Sequence, residues 1–155
     1  MNQRPEEFKR IPAEQLRSFS TACLQAAGMT DQHAAQLAGL LTNSDLRGVR
    51  SHGTRALFGY CRSIHDKSAN PDPDIQILAE TDTHVYIDGD GSLGYAPTML
   101  ATEKAIEKAK QKGIAVGACC HIGHYGSAGH YVRRAMEQDC TAFSVQAAYP
   151  QYYTS

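Results

Sequence analysis

Ile114-Ala115-Val116-Gly117-Ala118-Cys119-Cys120-His121-Ile122-Gly123-His124-Tyr125-Gly126-Ser127-Ala128-Gly129-His130-Tyr131 is the stretch on which the reading of this chain turns. The apolar run Ile114 to Cys120 predicts a strand, and the pattern from Ser127 to Gln138 predicts a helix. Between them Gly123, Gly126 and Gly129 keep the backbone bare, so a ligand can approach it closely. The start of a helix offers unpaired N–H groups and a positive dipole end, which suit a phosphate or carboxylate. His121, His124 and His130 lie among the glycines, and histidine moves a proton most readily near neutral pH. The same glycines would also serve a plain tight turn, and a histidine there can simply bond a carbonyl.

Working outward, the chain has 155 residues, enough for one domain with a real core. Hydrophobic residues make up 42% and charged residues 20%, as in ordinary globular proteins. The formal charge of −1 gives no electrostatic case for nucleic acid or an anionic membrane. No apolar run is long enough to span a bilayer, and Met1 to Arg10 lacks an apolar signal core. The five cysteines, Cys23, Cys61, Cys119, Cys120 and Cys140, follow no framework spacing. They are expected as reduced thiols in the cytoplasm, with Cys119 and Cys120 in a buried strand.

The N-terminal third reads as helical. Ile11-Pro12 opens a first helix, with Leu16, Phe19 and Cys23 at helical spacing and Gly28 as its stop. Thr30 or Asp31 caps a second, whose apolar face is Ala34, Leu37, Ala38 and Leu41. Ser51 caps a third, with Leu57, Tyr60, Cys61 and Ile64 facing inward. Asn70-Pro71-Asp72-Pro73 is a turn-rich linker. It divides a helical segment, 1–70, from an α/β segment, 71–155. Strands are expected at Ile75 to Leu78 and His84 to Ile87, a loop at Gly89 to Gly94, and a helix from Ala96 to Lys112 stopped by Gly113. A last strand is expected at Thr141 to Ala147. The order after residue 80 is β-α-β-α-β, which points to the α/β class.

Gly89-Asp90-Gly91-Ser92-Leu93-Gly94 spells the dinucleotide fingerprint G-x-G-x-x-G. That fingerprint also needs an acidic residue on the next strand, and Ile114 to Cys120 has none. A plain turn is therefore favoured over a Rossmann site. A second constellation is Asp45-Leu46-Arg47-Gly48-Val49-Arg50-Ser51-His52-Gly53-Thr54-Arg55. A guanidinium there can grip a carboxylate through two parallel hydrogen bonds. His52 can protonate a carbonyl oxygen, with Ser51 orienting it. The plain reading is a capped helix with solvated arginines. Cys119, Cys120, His121 and His124 are metal-ligand types, but their spacing fits no standard zinc pattern, and adjacent strand residues point to opposite faces. No metal is expected.

Taken together, Asp-Leu-Arg-Gly-Val-x-Ser-His-Gly at 45–53 and His-Tyr-Gly-Ser-Ala-Gly-His-Tyr at 124–131 resemble the malate/L-lactate dehydrogenase family of non-Rossmann type. Asn70-Pro71, Ile87-Asp88-Gly89-Asp90-Gly91 with Gly94, and Ala105-Ile106 to Gly113-Ile114 extend the resemblance along nearly the whole chain. Family members include ureidoglycolate and sulfolactate dehydrogenases and ketimine reductases. The resemblance implies a family-specific α/β fold that binds NAD or NADP. It implies hydride transfer to or from a small 2-oxo or 2-hydroxy acid or a cyclic ketimine, and a homodimer. It places acid–base chemistry on His52 with its relay Ser51, and on His124. It also sets His124, Tyr125, Gly126, Ser127 and Ala128 against the cofactor, and makes the loop at 89–94 structural.

Two departures from the family pattern bear on function. Many members carry a substrate arginine four residues after the Ser-His-Gly histidine. Here that position is Ala56, which leaves Arg47, Arg50 and Arg55 as candidates. Members are also much longer, so the chain is expected to be an N-terminal portion. The rival expectation is a non-catalytic remnant acting as a dimerisation or binding module.

Overall fold

A computed structural model describes residues 9–147. Three helices form the first layer: α1 (Ala13–Ala26), α2 (Asp31–Leu46) and α3 (Leu57–His65). A β-hairpin follows, β1 (Gln76–Glu80) and β2 (His84–Ser92), then α4 (Tyr95–Lys112), β3 (Val116–Ile122) and α5 (Gly129–Met136). Helix α2 forms as its pattern predicts. Thr30 caps it by accepting the His33 N–H, and Ala34, Leu37, Ala38 and Leu41 are buried. In α1 the packing differs from expectation. Phe19 is 61% exposed, and Ser20 and Leu24 are buried instead. The Ser20 hydroxyl is accommodated by donating to the Leu16 carbonyl.

The described sheet has the order β1-β2-β3, antiparallel between β1 and β2 and parallel between β2 and β3. Val85 and Ile87 of β2 point under α4 and pack with Ala101 and Cys119. Helix α4 crosses closely over β3, where a Cβ on Gly117 would press on the Ala101 carbonyl. Gly113 stops α4 in the left-handed conformation at φ +86°, its N–H bonding the Ala109 carbonyl. Lys104 and Lys108 reach Glu80, and Lys112 reaches Asp82, tying α4 to the hairpin through pairs on the rim.

Several boundaries fall elsewhere than the pattern suggests. Gly89 to Ser92 belongs to β2 rather than to a loop. The strand shifts register between Asp88 and Ser92, where Asp90 and Gly91 take φ +51° and +69°. Ser51 caps no helix, because two single 3-10 turns, Arg50–His52 and Thr54–Ala56, precede α3. Strand β3 begins two residues later than the apolar run, and Cys119 and Cys120 are half-buried rather than buried. No strand forms at 141–147 among the described residues. That segment and β3 both line a cavity of about 830 Å³. The terminal tyrosines Tyr149, Tyr152 and Tyr153 lie outside the described residues.

The sheet depends on Ile87, fully buried at the centre of its small core. Ile87→Ala is expected to cost about 2–5 kcal/mol of stability. Urea denaturation should show this as a lowered midpoint with an unchanged slope.

Candidate active site

Two segments distant in sequence meet at the join of the layers. From the helical layer comes the turn 50–56, held by Asp45 at the end of α2. The Asp45 carboxylate accepts from the Thr54 N–H at 2.8 Å and the Thr54 hydroxyl at 2.6 Å. A Cβ on Gly53 would overlap that carboxylate. Glycine is therefore required here by the close approach, not by its dihedral angles. The turn presents His52, whose Nδ1 lies 2.9 Å from the Ser51 hydroxyl.

From the sheet layer comes the loop after β3. Gly94 donates to the His124 carbonyl and Gly123 to the Ser92 carbonyl, fastening the loop to the end of β2. Gly126 adopts φ +83° directly over the Tyr95 ring, which leaves no space for a side chain. Tyr125 and Tyr131 stack at 5.2 Å, and the Tyr131 hydroxyl donates to the Tyr125 carbonyl. So fixed, His124 stacks on His52 with ring centroids 5.5 Å apart. The Tyr60 hydroxyl lies 2.7 Å from His124 Nδ1 and 2.8 Å from the Tyr95 hydroxyl. Partial burial, and next the neighbouring His52, hold the His124 imidazole below the ordinary histidine value. It is therefore neutral at pH 7. Burial raises the Tyr60 and Tyr95 phenols, so both stay protonated.

Near this pair lies a third histidine, His130, 4% exposed at the start of α5. Its Nε2 is 3.0 Å from the Ser44 hydroxyl, and its Nδ1 lies 3.3 Å from an Arg133 guanidinium nitrogen. Burial, then Arg133, Arg47 and His52, depress it to about 4. A neutral imidazole that accepts from Arg133 at Nδ1 carries its proton on Nε2 and donates it to Ser44. Arg133 thus stands near Arg47, each repelling the other's charge, with Glu137 as a partial offset.

The structure therefore brings Ser51, His52 and His124 together, while Arg47 is exposed at the end of α2 with its Nε donating to the Asn43 side chain. Arg50 is half-buried and Arg55 is exposed beside it. Tyr125 and Gly126 are buried under the loop, while Ser127 and Ala128 are half-buried at its rim. Sequence reasoning missed Asp45, Tyr95, Ser44 and Arg133 as site-building residues, and took Tyr60 only as a core residue. No spacing rule links positions 60, 95 and 124. The signal available was a cluster of tyrosines at places where a Phe would fill the same space. Asp88, Cys120 and His121 form a separate group on the outer face of the sheet, with His121 Nδ1 2.9 Å from Asp88. The register that sets Asp88 opposite Cys120 creates it. Cys119 lies on the other side, packed with Val85 and Ile87.

With this geometry in hand, comparison with known proteins is direct. The malate/L-lactate dehydrogenase family matches residues 11–153, and the chain belongs to that family. The malate dehydrogenase of Pyrococcus abyssi is 34% identical over 145 residues, covering 94% of this chain and 40% of the relative. The L-sulfolactate dehydrogenase of Methanocaldococcus jannaschii is 33% identical over 147 residues, covering 95% and 40%. The solved malate dehydrogenase of Pyrococcus horikoshii superposes with a TM-score of 0.81 at 35% identity, over 86% of this chain and 38% of that one. The resemblance drawn from the two motifs is borne out, and so is an α/β fold of the family's own kind. The chain spans about two-fifths of the length of these curated relatives.

Burial keeps His130 neutral, and stability responds to pH accordingly. Its folded pKa lies below the unfolded value, so the unfolded state binds the extra proton first. Its contribution is complete above the ordinary histidine pKa and is lost as pH falls from there toward about 4. Denaturation of wild type and His130→Gln across that window checks this. The variant should show the flatter pH dependence.

Proposed function

We propose that the chain carries the acid–base half of an NAD(P)-dependent oxidoreductase acting on a small 2-hydroxy or 2-oxo acid, or a cyclic ketimine. The observation that carries this reading is the His52–His124 pair, built from two motifs, the first of which also carries Arg47, Arg50 and Arg55. The relatives, named for malate, sulfolactate and ureidoglycolate oxidation, support the hydroxy-acid class.

The residues at the loop fit a dinucleotide. Among the described residues, the N–H groups of Gly126, Ser127 and Ala128 have no backbone acceptor. Helix α5 starts at the same place without a side-chain cap. The Arg133 guanidinium passes close to Gly129, near the Ser127 hydroxyl. Orphan N–H groups, a helix N-terminus and a cation together suit a phosphate group. His124 to Ala128 would hold the cofactor, which supplies or takes the hydride when bound. Whether it is NAD or NADP depends on contacts to the adenosine ribose.

The chain's own residues do the remaining work. Arg47, Arg50 or Arg55 would hold the substrate carboxylate, orienting the reacting carbon. His52 with Ser51, or His124, exchanges the proton with the substrate oxygen or nitrogen. In a polypeptide extended to the length of its relatives, His52→Ala and His124→Ala should each lower kcat by roughly two to four powers of ten. Near-normal turnover in either variant would remove that histidine from the mechanism.

A binding or dimerisation role for the 155-residue chain by itself has its own support. Phe143 and Val145 are 89% and 70% exposed, and Ile114 and Val116 at the start of β3 are also exposed. Apolar surface of this kind favours association, and a homodimer is the assembly we propose. Five free thiols suit a reducing cytoplasm, and no described helix is long and apolar enough to cross a membrane. We expect the 155-residue chain to bind NAD(P)H weakly and to self-associate. Calorimetric titration with both cofactors, alongside sedimentation, checks this. A monodisperse monomer with micromolar cofactor affinity would contradict it.

A further inference from the structure

The tautomer of a neutral histidine decides what it can donate and accept, and for His124 the surroundings decide the tautomer. Tyr95 is 2% exposed, and its hydroxyl has one hydrogen-bond partner among the described residues, the Tyr60 oxygen at 2.8 Å. The Tyr60 hydroxyl in turn has two partners, Tyr95 and His124 Nδ1 at 2.7 Å. Two directions of donation are conceivable along this line. If Tyr60 donated to Tyr95, the Tyr95 hydrogen would be buried with no acceptor, which is costly. If Tyr95 donates to Tyr60, and Tyr60 donates to His124, every hydroxyl hydrogen is used. The second direction makes Nδ1 of His124 an acceptor.

From this geometry we infer that Tyr60, backed by Tyr95, is a positioning residue that locks neutral His124 with its proton on Nε2. A ring so locked donates a hydrogen bond from Nε2 and cannot take up a proton there. His124 then polarises the substrate oxygen, and proton transfer falls to His52 with Ser51. In reduction of a 2-oxo acid a bound dinucleotide would supply the hydride to the carbonyl carbon, leaving the carbonyl oxygen in need of a proton. That oxygen takes the proton from the His52 imidazolium while His124 donates to it. The catalytic meaning rests on the proposed dehydrogenase reaction, whereas the hydrogen-bond direction rests on the two tyrosines alone. A donor at Nδ1 favours the neutral ring, the same direction in which burial and then His52 already move His124. The charged or titratable groups that meet this ring are His52 on the turn, Tyr60 on α3 and, behind it, Tyr95 on α4.

The test needs neither cofactor nor substrate, so its outcome is separate from that of the dehydrogenase reading. Protein labelled with 15N-histidine is examined by long-range 1H–15N correlation near pH 7.5, with the His124 resonances assigned by their loss in His124→Gln. Wild type should show a pyridine-type Nδ1 and a pyrrole-type Nε2. Tyr60→Phe should mix the tautomers and move the His124 titration upward. Tyr95→Phe should keep the wild-type tautomer, because Tyr60 still donates. A wild-type ring protonated on Nδ1 would overturn the assignment. So would a folded Tyr60→Phe with unchanged tautomer and titration. The wild-type spectrum decides even where a variant fails to fold.

Discussion

The structure depends on where the Tyr95 side chain lies. It is the first residue of α4, the helix that covers the sheet, yet its ring packs in the core formed by α2 and α3. A ring of that size buried between two layers fixes their separation, since interiors are packed too tightly to leave play. The same ring supports Gly126, and its hydroxyl reaches Tyr60 of α3. One side chain therefore joins the helical layer, the sheet layer and the loop that carries His124. Removing it would separate the two histidines before it exposed much surface.

The second constraint is the Asp45 carboxylate. A carboxylate near a histidine is easily read as its proton partner, but this one is engaged elsewhere. Its oxygens accept from Thr54, and Gly53 lies against it so closely that no side chain could stand there. The acid is a structural clamp on the turn that presents His52. That explains why the segment 45–54 works as a unit and why its helix-capping reading fails. Ser51 lies in a 3-10 turn wound around the clamp, with its hydroxyl directed to its own neighbour, His52.

How much of this was legible in sequence follows from the range of the interactions involved. Helix α2 and the extent of α4 depend on local periodicity and caps, and both read correctly within a residue or so. The β3-to-α5 loop was recognisable because its glycines answer to local backbone demands. Strand β2 ran past its expected end because a bulge at Asp90 and Gly91 carries a strand through residues that look like a turn. Phe19 was placed in the core by its spacing, but the layer needed only the Ser20 and Leu24 side of α1. The stretch at 141–147 has a strand's composition without a neighbour to pair with, and composition cannot supply one. The pairing of His52 with His124 was accessible through the two motifs. The tyrosine line between positions 60, 95 and 124 depends wholly on tertiary contact and left no pattern in the chain.

The charge arrangement closes the argument about what this site can receive. The Asp45 carboxylate is engaged on the turn by the Thr54 N–H and hydroxyl. His124 and His130 are both held neutral, the first by partial burial and His52, the second by deeper burial and Arg133. A neutral His130 lets the Arg133 guanidinium approach its Nδ1 without a further positive charge there. The Arg133 guanidinium itself lies below its ordinary value through burial and then Arg47. A site that holds two guanidinium groups near each other, with one glutamate as partial offset, is relieved by an incoming anion. The histidines supply polarity without charge, and the arginines supply the attraction. Unbalanced positive charge of this kind raises the local concentration of anions in general.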